Sequence, residues 1–98
     1  MAYHLAVDIG ASGGRHIVGH MAEGRLRLEE IYRFENRPVN CHGTLCWDVK
    51  RLFQEILEGM KRCKQLGKTP ISMGVDTWAV DYVLLKDGKA LAQPIAYR

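Results

Sequence analysis

Asp8-Ile9-Gly10-Ala11-Ser12-Gly13-Gly14-Arg15 is the key to the architecture, because of what stands on either side of it. Before it, residues Tyr3 to Val7 are a short apolar run with β-branched and aromatic members, the pattern of a buried strand. After it, His16-Ile17-Val18-Gly19-His20-Met21-Ala22 is again short and β-rich. The stretch itself is dense in turn formers. It therefore reads as a bend joining two strands, and two better-known phosphate loops are excluded. It contains no Gly-x-x-x-x-Gly-Lys-Ser/Thr, so it is not a Walker P-loop. Its glycines do not fit Gly-x-Gly-x-x-Gly, and the pattern after it is not helical.

A bend of this composition has a chemistry. Glycines let the main chain turn sharply and present N–H groups with no side chain in the way. Successive N–H groups make an anion-binding concavity. Ser12 adds a hydroxyl donor and Arg15 a fixed positive charge. Asp8, at the strand end, is placed to hold a magnesium ion through water. The residues alone leave a second reading open, a plain tight turn with glycines for geometry only.

Beyond the second strand, Glu23-Gly24 is a turn signal, Arg25-Leu26-Arg27-Leu28 alternates, and Ile31-Tyr32-Arg33-Phe34 resumes a strand pattern. Glu29 and Glu30 break the phase and predict a bulge there. Glu35 to Cys46, with Asn36, Pro38, Asn40 and Gly43, predicts a loop. Asp48 is then a helix N-cap. Val49, Leu52, Phe53, Ile56, Leu57, Met60 and Cys63 follow at helical spacing and predict one buried face. Gly67 fits the position past the helix end, and Pro70 prevents continuation. Ile71 to Val75 and Tyr82 to Lys86 predict strands, and Asp87-Gly88 is a two-residue hairpin turn back into Lys89 to Ala92. The order is β-β-β-α-β and then a β-hairpin, which predicts a mixed sheet in an α/β domain.

Composition narrows the class. The 98 residues are 47% hydrophobic and 26% charged, an ordinary globular balance of one domain at most. No apolar run reaches the ~18 residues that would span a bilayer, and the start Met1-Ala2-Tyr3-His4 lacks the basic region of a secretory leader. The formal charge of +3 is scattered and interleaved with acids, unlike a nucleic-acid stripe. Cys41, Cys46 and Cys63 are odd in number and read as free thiols in a reducing cytoplasm. A metal cluster using His42 would need a fourth ligand that the spacing does not supply.

A second stretch carries chemistry. Gly74-Val75-Asp76-Thr77-Trp78-Ala79-Val80-Asp81 packs acids and an indole at a strand end. Carboxylates accept hydrogen bonds from sugar hydroxyls, and an indole face packs on C–H groups. The residues equally allow Trp78 in a core and the aspartates as turn caps.

Taken in order, Asp8 to Arg15, Cys46-Trp47-Asp48, Gly74 to Leu85, Asp87-Gly88 and Pro94 to Arg98 resemble the start of the rhamnulokinases. These lie in the carbohydrate kinase family that also holds glycerol, xylulose and gluconate kinases. The resemblance covers essentially all 98 residues. It implies a ribonuclease-H-like fold, that of actin-like and hexokinase-like ATPases. Residues 1–98 would be the N-terminal part of the first of two such domains. It implies ATP and Mg2+ as cofactors and L-rhamnulose as the small-molecule partner, with L-rhamnulose 1-phosphate as product. Ala11, Ser12, Gly13, Gly14 and Arg15 match the family's ATP-phosphate turn, with Gly13 where a second serine can stand. Ala79 matches a small residue lying against the sugar, and Thr77, Trp78 and Asp81 are neighbouring candidates. The family's general base lies downstream of Arg98, as does its adenine pocket, so no catalytic residue is assigned here and no turnover is expected of this chain alone. Strand edges and apolar patches that a longer chain would cover predict self-association. Another sugar kinase of the family, and a non-catalytic nucleotide- or sugar-binding module, are the competing functions.

Overall fold

The computed structural model describes residues 1–96; Tyr97 and Arg98, which close the last matching motif, lie outside the described residues. Strands β1 (His4–Ile9), β2 (Gly13–Ala22) and β3 (Arg25–Glu35) are followed by a small pair, β4 (Val39–Cys41) and β5 (Thr44–Cys46). Helix α1 (Val49–Gln65) leads to β6 (Ser72–Asp76), and β7 (Leu85–Lys86) and β8 (Lys89–Ala90) complete the elements. The main sheet runs β3-β2-β1-β6. Its first three strands are an antiparallel meander, and β6 lies parallel to β1. A parallel neighbour needs a crossover, and α1 supplies it. This is the mixed α/β sheet with one helix that the sequence predicts.

Several local expectations change. The segment read as a loop before the helix contains the β4–β5 hairpin. Its turn, His42-Gly43, has positive φ at both residues (56° and 89°), as Glu23-Gly24 and Asp87-Gly88 also do. The bulge predicted at Glu29–Glu30 falls one residue later: His16 pairs with Tyr32 and Ile17 with Glu30, leaving Ile31 as the extra residue. The strand predicted over Tyr82–Lys86 is confined to Leu85–Lys86, because Tyr82 makes only an isolated bridge, to Ile95.

The helix ends follow the sequence. Asp48 Oδ1 accepts from the Arg51 N–H at 3.1 Å. At the other end, the Lys68 N–H bonds Cys63 O at 2.9 Å and the Gly67 N–H bonds Lys64 O at 3.0 Å, a Schellman closure. The single buried face is not realised. Cys63 is buried and Leu52 and Ile56 pack on the core, whereas Val49, Phe53, Leu57 and Met60 are exposed. The physical reason is where the helix sits: α1 lies over β2 and β3, the β1 side chains Leu5, Val7 and Ile9 are buried in the core, and the β6 edge of the same face is left open. Met73 and Val75 pair with Leu5 and Val7 and so share their face, yet both remain exposed. The Cα radius of gyration is 15.8 Å, against ~13 Å for a compact domain of this size, because the β2–β3 hairpin also projects, with Leu26 and Leu28 exposed.

Beneath the helix, the register stacks Val7, His16 and Tyr32 in one row and Ile9, Gly14 and Phe34 in the next. His16 is fully buried. Its Nε2–H donates to Ile56 O at 3.1 Å, which leaves Nδ1 bare and unpartnered among the described residues. A Cβ at Gly59 would fall 2.1 Å from this ring, so the helix approaches only because residue 59 has none. Burial lowers the His16 pKa below 6.5, opposed by its bond to Ile56 and by Glu55. The unfolded chain takes up that proton below about pH 6.5 and the folded chain resists it. The neutral ring's contribution to stability is therefore complete above that pH and lost as pH falls through it. The urea midpoint is expected to drop between pH 7 and pH 5, and His16→Gln, which does not titrate, to flatten that limb of the profile. A wild-type midpoint that does not fall would contradict the buried neutral ring.

Candidate functional site

The face opposite the helix carries a different row. Alternation turns Asp8 away from Val7, and the register then aligns Asp76, Asp8, Arg15 and Arg33 across all four strands of the main sheet. Two acids thus lie beside two bases at the sheet end where the glycine bend begins. Arg15 Nε approaches Asp8 Oδ2 at 3.4 Å. Arg33 grips Glu30 with two bonds, Nε to Oε1 at 2.6 Å and Nη2 to Oε2 at 3.1 Å, and this pairing holds the Glu30 carboxyl below its usual pKa. Asp76 is pushed up, first by a hydrogen bond with the Asp8 carboxyl, then by desolvation and by the Asp8 charge. The neighbouring Asp8 charge favours the protonated form of Asp76.

The bend joins β1 to β2, as predicted. Its base is closed by the Gly10 N–H donating to Gly13 O at 2.8 Å. Asn36, buried at the end of β3, buttresses it: Nδ2 donates to Gly10 O at 2.9 Å, and the Asn36 N–H reaches Ser12 O at 3.2 Å. Ala11 and Ser12 stand exposed at the tip. Asp8, Gly10, Ser12, Gly13, Gly14, Arg15 and Arg33 line a depression of about 290 Å³. The bend's glycines serve close approach rather than unusual dihedrals. A Cβ at Gly13 would lie 3.2 Å from Phe34 O, and one at Gly14 would lie 2.2 Å from Phe34 Cζ.

The second stretch leaves β6 at the same end of the sheet, since Asp76 pairs with Asp8. Thr77 is exposed, its Oγ1–H directed at Trp78 O at 3.2 Å, and Ala79 is exposed beside it. Trp78 is half-buried and packs on the core. Asp81 Oδ2 accepts from two indoles, Trp47 Nε1 and Trp78 Nε1, each at 2.5 Å. The two rings lie 4.3 Å apart between centroids, tilted by 48°. Next to them a mainly apolar groove of about 350 Å³ runs between Ile9, Leu52, Phe53, Val75 and Tyr82. The structure thus brings both predicted stretches to one sheet end, while turning Asp81 inward onto tryptophans.

Cys41, Cys46 and Cys63 are free thiols. Cys46 is pushed up to about 11 by a hydrogen bond with the Cys41 thiol, by desolvation and by the Cys41 charge. Among the described residues no three His, Cys, Asp or Glu side chains gather to hold a metal, and no helix is long and apolar enough to cross a membrane.

Sequence reasoning missed Asp76, Arg33, Asn36 and Trp47 as parts of the site. Asp76 stands in the second matching stretch but carried no assigned role, and Arg33 becomes visible only once the register is known. Asn36 looks like any loop former. Trp47 does sit in a matching motif, Cys46-Trp47-Asp48, and that was its one sequence signal.

No protein-family model matches the chain. Curated proteins do. It is 52% identical to a rhamnulokinase of Halalkalibacterium halodurans over 100% of this chain and 21% of that protein. It is 49% identical to a rhamnulokinase of Oceanobacillus iheyensis over 97% of this chain and 20% of that protein. It is 45% identical to a rhamnulokinase of Bacillus subtilis, again over 97% of this chain and 20% of that protein. The chain resembles rhamnulokinases along its whole length and spans about a fifth of theirs, consistent with an N-terminal segment.

Proposed function

We propose that this chain is the N-terminal segment of a rhamnulokinase, an ATP-dependent sugar kinase that converts L-rhamnulose to L-rhamnulose 1-phosphate, and that it is inactive alone. The observation that carries the reading is the glycine bend between two strands, exposed at Ala11 and Ser12 and flanked by Arg15 and Arg33, in a chain about half identical to rhamnulokinases. The main-chain N–H groups of Ala11 to Arg15 would receive the nucleotide's terminal phosphates. Gly14, buried against Phe34, shapes that turn from beneath. Asp8, with Asp76 beside it, offers the hard oxygen donors that Mg2+ takes. When bound, Mg2+ supplies charge neutralisation on the phosphates. Ala79, with Thr77 and Trp78, would form part of the sugar wall, and Asp81 acts there through the tryptophans it holds.

The mixed sheet and its crossover helix are compatible with the first ribonuclease-H-like domain of such a kinase, acting in the cytoplasm. A closed cleft needs both walls, and this chain supplies part of one. The open β6 edge and the exposed Phe53, Met73 and Val75 favour self-association of the 98-residue chain.

The test is NMR titration with MgATP. Amide shifts are expected to concentrate at residues 11–15, and Asp76→Asn is expected to weaken the Mg2+-dependent part while leaving the metal-free shifts. No product is expected from chain, MgATP and L-rhamnulose together. Shifts that avoid residues 11–15 would refute the phosphate assignment, and L-rhamnulose 1-phosphate in the mixture would refute the inactivity.

A further inference from the structure

Trp47 lies 31 residues before Trp78, outside both stretches that carry the proposed site. Tertiary pairing delivers it. Ile95 bridges Cys46 on one side and Tyr82 on the other, and the Trp47 N–H donates to Pro94 O at 2.8 Å. Residues 46–47 and 81–82 are thereby held on either side of one short segment. One oxygen of Asp81 then accepts both indole N–H groups. Trp47 is buried, so its N–H has to find a partner inside the protein. Hydrogen bonds to a carboxylate are roughly twice as strong as neutral ones.

The segment so held is under backbone strain. Val80 has φ of +71°, a region that a β-branched residue adopts only when its surroundings impose it. Val80 itself is exposed and packs on little, so the restraint comes from the residues flanking it. Its neighbour Asp81 is bound to both rings, and Ala79 is the exposed residue on its other side.

We propose that Trp47 is a positioning residue: through Asp81 it clamps Trp78 and fixes the strained 77–81 segment in the shape that presents Ala79 at the surface. The role assigned to Ala79 rests on the sugar-wall reading above, whereas the clamp does not need a sugar to be observed. Discrimination between ketoses would then be set partly by a residue that acts through Asp81 and Trp78.

The test uses the chain without ligand, so failure of the sugar reading leaves it intact and its own failure leaves the sugar reading intact. The chain's two tryptophans, this close and tilted, should give an excitonic couplet in circular dichroism. Asp81→Leu, which keeps both indoles, is expected to abolish the couplet. Asp81→Asn, which keeps an accepting oxygen, is expected to retain it. Trp47→Phe is expected to speed exchange of the Trp78 indole N–H, which Asp81 holds, by about tenfold, the loss of one hydrogen bond to a charged group, with β1 and β2 amides unchanged as the control for folding. A couplet that survives Asp81→Leu, or Trp78 indole exchange unmoved by Trp47→Phe, would overturn the proposal.

Discussion

Gly59→Ala is expected to lower the melting temperature by roughly 10 °C, although alanine is the better helix former. Helix propensity alone favours the substitution by ~1 kcal/mol. Against it stands a Cβ placed 2.1 Å from His16 Cδ2 and Nε2 and 2.4 Å from Cε1. That ring cannot swing aside. It is bonded to Ile56 O and packed edge-on against Tyr32 and Phe34, with centroids 5.4 and 6.4 Å away. The helix must lift from the sheet instead, and overpacking of this kind costs ~3 kcal/mol. The net loss of about 2 kcal/mol is a large part of the stability of a domain this small. Thermal unfolding by circular dichroism checks it. The double variant His16→Ala, Gly59→Ala is expected to be less destabilised than the sum of its parts, since the small side chain vacates the notch. Strict additivity would show that the His16–Gly59 contact is not what the substitution breaks.

Gly14→Ala should do comparable damage at the other end of the core and carry it into the site. The added Cβ would meet three carbons of the Phe34 ring at 2.2, 2.6 and 2.8 Å. The gain in backbone rigidity, ~0.5–1 kcal/mol, is too small to offset that. Moving Phe34 displaces the end of β3, and Asn36, two residues on, holds the Gly10 carbonyl. Loss of stability should therefore come with faster amide exchange at Gly10, by about tenfold, while residues at the far end of the β2–β3 hairpin keep their rates. Phe34→Leu in the same chain should restore part of both. Loss of stability with Gly10 exchange unchanged would separate the core packing from the bend.

These contacts show where the sequence stops being readable. The bend was legible because its flanks alternate like strands and its own residues are turn formers. The helix was legible from Asp48, the apolar spacing and Gly67. The β4–β5 hairpin was not, although His42-Gly43 is the same kind of turn as Glu23-Gly24, because Asn40 and Pro38 made the whole stretch look like a loop. The apolar spacing of the helix could not say that only Leu52, Ile56 and Cys63 of its seven periodic residues would find the core.

The features legible in short windows are the strand-bend-strand start, the crossover helix with its caps, the hairpin at Asp87-Gly88, and the two chemically loaded stretches. Long-range pairing alone aligns Asp76, Asp8, Arg15 and Arg33 in one row, sets Asn36 as a buttress of the bend, and brings two tryptophans to Asp81. Turn chemistry and periodicity act between residues a few positions apart. Register and burial are set by partners tens of residues away, and no short window of sequence contains both members of those pairs.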